Sequence, residues 1–117
     1  MRLTLTRPLA AVAALGLAAV QMTPAEAADC GSADSITIAE MTWSSAASLA
    51  HIAQTIMRDG YGCNAELVPG DTVPTATSML TRSTPDVAPE LWVSTAQSIW
   101  DQMMEKGNVY KASDIFG

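Results

Sequence analysis

Between residues 35 and 41 the chain alternates, with Ile36 and Ile38 set between polar neighbours, which is the two-residue period of a strand with one face turned inward. Trp43 follows almost at once. From Ser44 or Ser45, either of which has the hydroxyl that suits a helix start, the period changes. Ala46, Leu49, Ala50, Ala53, Ile56 and Met57 recur at three, four and seven residues, and Gly60 and Gly62 end the run. A second short strand is expected at 65–68, and Pro69-Gly70-Asp71 reads as a turn. Pro74 fits the first turn of a second helix capped by Asp71 or Thr72, where its missing N–H costs nothing, and Val73, Ala76, Met79 and Leu80 give that helix an apolar side. Pro85 closes it. Residues 86–88 offer a third, very short strand, and from Ser94 or Thr95 a third helix runs toward Gly107 with Ala96, Ile99, Trp100, Met103 and Met104 on one stripe. Strand and helix alternate three times, which predicts an α/β fold: a parallel sheet reached by right-handed crossovers, with flanking helices.

The first residues obey a different logic. Arg2 and Arg7 precede an apolar run at 9–20, and Ala25-Glu26-Ala27 supplies a small-residue cleavage site. A bilayer-spanning helix needs roughly 20 apolar residues, so this shorter run predicts a removed secretory signal at 1–27 rather than an anchor. The protein is therefore expected in the periplasm, with no membrane insertion after cleavage. Asp29 in front of Cys30 fits lipid attachment poorly. The mature portion, 28–117, is one small domain. Its tail carries Val109, Tyr110, Ile115 and Phe116 and stops without a closing signal, so an incomplete, truncated lobe is expected. The chain has formal charge −6, and removal of 1–27 makes it more negative still. With no basic cluster, nucleic acid is excluded as a partner. Cys30 and Cys63 are too far apart for a redox pair or a zinc site, and in an exported segment a disulfide is favoured over two free thiols.

Enzyme motifs are scarce. There is no Gly-x-Ser-x-Gly elbow, no phosphate-binding glycine loop and no paired histidines. The sole histidine, His51, falls inside the first helix, where a packed or partly exposed role outweighs that of a catalytic base; metal and cofactor sites are not expected. Asp86 and Glu90 are weak support for acid–base work in an acidic chain, and their plainer role is solvation. Trp100 shares a stripe with Ile99 and Met103 and belongs to the core. Trp43 and Trp92 differ, because each lies just beyond a predicted strand, outside any periodic segment. If those strands are parallel neighbours, both indoles project at the carboxyl edge of one sheet, where open α/β folds place ligands. Two indole faces attract a cation that cannot hydrogen-bond, such as a quaternary ammonium. The alternative for both is packing.

Four blocks in order carry a resemblance: residues 36–43 (Ile-Thr-Ile-Ala-Glu-Met-Thr-Trp), Gly60-Tyr61-Gly62-Cys63, residues 66–72 (Glu-Leu-Val-Pro-Gly-Asp-Thr) and Pro89-Glu90-Leu91-Trp92. Together they resemble the substrate-binding proteins of glycine betaine, proline betaine and choline ABC importers, from about Cys30 onward. The resemblance implies an exported, non-enzymatic, two-lobed protein of the type II periplasmic-binding-protein-like fold that closes on a small quaternary ammonium solute and presents it to the permease in the inner membrane. It also implies that Trp43 and Trp92 form part of an aromatic box, with Ser45 and Glu90 as candidate secondary contacts. Relatives specialised for choline often carry an acid where this chain has Ser45, which favours a zwitterionic betaine. Family members have a second lobe with further aromatics. Two cation–π contacts of about 2 kcal/mol each correspond to only millimolar affinity, so the chain alone is expected to be a half-site. A small exported α/β enzyme, or a structural module with both tryptophans in its core, are the rival outcomes.

Overall fold

The computed structural model describes Cys30 and residues 34–115, so the leader expected at 1–27 lies outside the described residues. Strand β1 (Ile36–Met41) and strand β2 (Ala65–Gly70) are parallel, in register from Ile36 opposite Ala65 to Met41 opposite Gly70. Helix α1 (Ser44–Thr55) connects them and widens into a π-helical turn (Ile56–Gly60) before the chain reverses. Helix α2 (Thr72–Arg82) follows β2, and helix α3 (Gln97–Lys106) is entered through a 3-10 turn (Val93–Thr95). The fold class is α/β, parallel strands with flanking helices, as the alternation of periods implies.

Small side chains set the packing. Ala50 of α1 is fully buried against Ile38 and Ala65, with Ile36, Ala53, Met57 and Leu67 around them, so the helix lies close on the sheet. Ala39 and Met41 point to the other face, where the Thr75 hydroxyl of α2 reaches Met41 Sδ at 3.8 Å. Ala76, Ala96 and Met103 form a third cluster between α2 and α3, and Trp100 is half-buried against it.

Several expectations change in detail. Ser44 opens α1 as its first helical residue, and the N-cap is Trp43, with extended backbone and no capping side chain. Ile56 is exposed: it sits at the edge of the apolar stripe, where the π turn alters the residue spacing that would have carried it inward. Pro69 and Gly70 are strand, not turn. Pro69 is tolerated because β2 lies at the sheet edge, and the chain turns at Asp71, whose Oδ1 accepts the Thr72 N–H at 2.7 Å to cap α2. Thr72 and Thr75, not Val73, share the buried side of α2 with Ala76. Met104 likewise faces out.

The third strand shrinks to one bridge, Val87 beside Ile38. Pro85 and Pro89, on either side, lack the N–H a longer ladder requires. Val87 donates to Thr37 O at 3.0 Å and accepts from Ala39 N at 2.8 Å. The Thr37 N–H on β1 goes instead to Asp86 Oδ2 at 2.7 Å, and the Thr37 hydroxyl donates to the same oxygen at 2.6 Å. Asp86 is therefore a sheet clasp rather than a merely solvated charge. These donors hold its carboxyl below its ordinary value against the small opposing effect of burial.

Candidate functional site

Trp43 stands two residues beyond the end of β1, where the chain passes from strand to helix. Its carbonyl accepts the Ala47 N–H at 3.1 Å, which fixes the backbone, and its half-buried ring packs against Ala39, Met41 and Ala46. Trp92 comes five residues after the Val87 bridge, at the same carboxyl side of the parallel sheet, and caps the 3-10 turn. Leu91 points inward onto two of the core clusters. Its neighbours Glu90 and Trp92 lie together, joined by the bond from the Trp92 indole to the Glu90 carboxylate.

The two indoles meet edge to face, ring centroids 6.1 Å apart and planes at 70°. Trp92 is 56 % exposed, so the pair opens to solvent on its side. Beneath them lies Glu90, only 3 % exposed. One of its oxygens, Oε1, accepts both indole N–H groups, from Trp43 at 2.7 Å and from Trp92 at 2.8 Å. The other, Oε2, is buried without a hydrogen-bond partner. Glu90 is thus not the solvated carboxylate that an acidic chain suggests. Burial pushes its pKa up, but the indole of Trp92, that of Trp43 and, more weakly, the nearby Ser45 hydroxyl outweigh it and hold the carboxyl below its ordinary value of 4.5. It is an anion at neutral pH. Among the described residues Lys111 pairs with Asp114 and the His51 ring bonds to Glu40 at 3.0 Å, so no cationic side chain compensates Glu90.

Ser45 is exposed in the first turn of α1, beside the pair. His51 is exposed on α1 and its bond goes to Glu40 of β1, not to either indole. Cys30 and Cys63 form a disulfide that ties the segment before β1 to the loop leading into β2. Trp92 and Glu90 also border a groove of about 900 Å³ that runs past Trp100 to the stretch 108–115; Trp43 does not line it. Sequence reasoning placed Glu90 near the pair but missed its burial. The local signal was its nearness to Trp92, two residues on, whose indole N–H it accepts.

Two π faces over an uncompensated anion make a negative potential at the carboxyl edge of the sheet, which favours a cation without hydrogen-bond donors. Among the described residues no group of three or more His, Cys, Asp or Glu is placed to hold a metal, and no helix is long and apolar enough to cross a membrane. No curated protein matches the chain. A family model does, that of the substrate binding domain of the ABC-type glycine betaine transport system, across residues 34–116. That span covers both strands, all three helices and the indole pair, and on it this chain belongs to the OpuAC family of substrate-binding domains.

Proposed function

We propose that this chain is the extracytoplasmic solute-binding component of an ABC importer, exported by the leader at 1–27, and that it captures glycine betaine or a related quaternary ammonium solute against Trp43 and Trp92 for delivery to a permease. Residues 28–117 act as the N-terminal lobe of the receptor. The observation that supports this most is the meeting of two indoles from separate strand ends, 6.1 Å apart at one sheet edge. A trimethylammonium group offers no N–H, so π faces and a negative field are what can recognise it. Ser45, an uncharged residue beside the pair, favours a zwitterion over choline. His51 on α1 bonds to Glu40 of β1 and to neither indole nor Glu90, in keeping with binding rather than catalysis.

Two desolvated contacts at about 2 kcal/mol each give roughly 4 kcal/mol, a millimolar dissociation constant. Titration of the full chain with glycine betaine, followed by indole fluorescence and by the tryptophan side-chain N–H signals in NMR, should show saturable change in that range, lost in Trp92→Ala. Betaine that leaves both indoles unperturbed, or a Trp92→Ala variant that binds as well as the parent, would sink the assignment.

A further inference from the structure

The π faces account for attraction to a cation, but they leave the carboxylate below them unexplained. A buried carboxylate is ordinarily matched by a cation or by donors to both oxygens. Glu90 lacks both: Oε1 takes two indole N–H groups, Oε2 has no hydrogen-bond partner although the Ser45 hydroxyl lies near enough to exert a weak effect, and no cationic side chain among the described residues pairs with it. Nor is the charge removed by protonation, because the donors around it keep the carboxyl below its ordinary value despite burial. The absent countercharge is what a bound cation would supply. Oε2 is covered, so a ligand above the rings does not touch Glu90. The carboxylate acts through the indoles, by fixing both on one oxygen, by pushing electron density into their π systems, and by its field across them.

We propose that Glu90 is the positioning residue and fixed countercharge of the Trp43 and Trp92 pair, and that it makes the site select a permanently charged methylated cation over a neutral molecule of the same shape. This rests on the assignment of the two indoles as the binding pair. The shared acceptor also makes a geometric claim, that the two rings are coupled through one atom.

The test uses the full chain and two probes of matching shape, tetramethylammonium and tert-butanol, titrated against the indole N–H signals in NMR. Glu90→Gln keeps an oxygen that can accept both indoles while removing the charge. Its affinity for tetramethylammonium should fall roughly tenfold, the effect expected of one charge acting across a ring thickness, with tert-butanol unchanged. Equal effects on both probes, or on neither, overturn the countercharge. A parent chain that ignores tetramethylammonium overturns the binding pair itself, and the selectivity with it. In case Glu90→Gln does not fold, Trp92→Phe removes one donor at an exposed position. The Trp43 side-chain N–H signal should then move downfield as its bond to Oε1 loses a competitor, and an unmoved signal refutes the shared acceptor.

Discussion

Gly70 ends β2 opposite Met41, and a methyl group at its Cα would stand 2.9 Å from Met41 Sδ, 2.9 Å from Thr75 Oγ1 and 3.3 Å from Ala39 Cβ. None of the three has room to retreat. Ala39 and Met41 are core, and the Thr75 hydroxyl is committed, accepting the Asp71 N–H at 3.1 Å. Forcing one extra methyl into such a site costs about 1–3 kcal/mol. Displacing Thr75 forfeits roughly 1 kcal/mol of hydrogen bonding. Against this, alanine loses less entropy on folding than glycine, worth about 0.4–1 kcal/mol. Gly70→Ala should therefore destabilise by roughly 2–3 kcal/mol, and with an m-value of about 1 kcal/mol/M its urea midpoint should drop by about 2–3 M. Gly107 is the control. Its φ is +65° and a methyl there meets nothing within 4 Å, so Gly107→Ala should cost only the left-handed strain, about 1–2 kcal/mol. Urea unfolding monitored by circular dichroism measures both. If Gly70→Ala matches the parent, or costs less than Gly107→Ala, close packing at the end of β2 is not what holds this edge.

Two further predictions concern the seams of the fold. Replacing Cys30 and Cys63 together by serine opens a loop with a sequence separation of 33 and should cost about 3–4 kcal/mol, seen as a lower thermal midpoint that reducing agent no longer affects. Asp86 has a carboxyl pKa below its ordinary value of 3.8, so its contribution to stability is complete above that value and is lost as pH falls through the lower folded one. Asp86→Asn should therefore be less stable than the parent in urea near pH 7, with the gap closing as the medium is acidified below the ordinary carboxyl value of 3.8 and through the lower folded one. A gap that does not change with pH would show that the Asp86 charge is not part of the clasp.

Much of the fold was legible from residue pattern because the information was local. The alternation of Ile36 and Ile38 specified β1, and the small-residue spacing of Ala46, Ala50 and Ala53 specified the face of α1. Asp71 and Pro74 marked the start of α2. Legibility failed where a distant partner decided the outcome. Thr75 is buried because Met41 and Gly70 lie against it, which helical periodicity in α2 does not encode. Asp86 became a clasp because Pro85 and Pro89 stop the third strand and leave Thr37 N–H to a side chain. At the site, the position of each tryptophan after its strand could be read, whereas Glu90 bonds across a separation of 47 residues to Trp43. A carboxylate sharing its oxygen between two rings is a tertiary event with no periodic trace.

The two tryptophans are anchored unequally. Trp43 grows out of the inner strand of the sheet, while Trp92 rides on a segment stitched to that strand by one backbone bridge, the Asp86 clasp and the inward side chain of Leu91. Protection from hydrogen exchange tracks the density of such stitches, so this segment should breathe at a lower free energy than β1 and β2. Because the rings already touch edge to face, parting them means displacing the Trp92 segment, while Trp43 stays with β1 and the rest of the domain is intact.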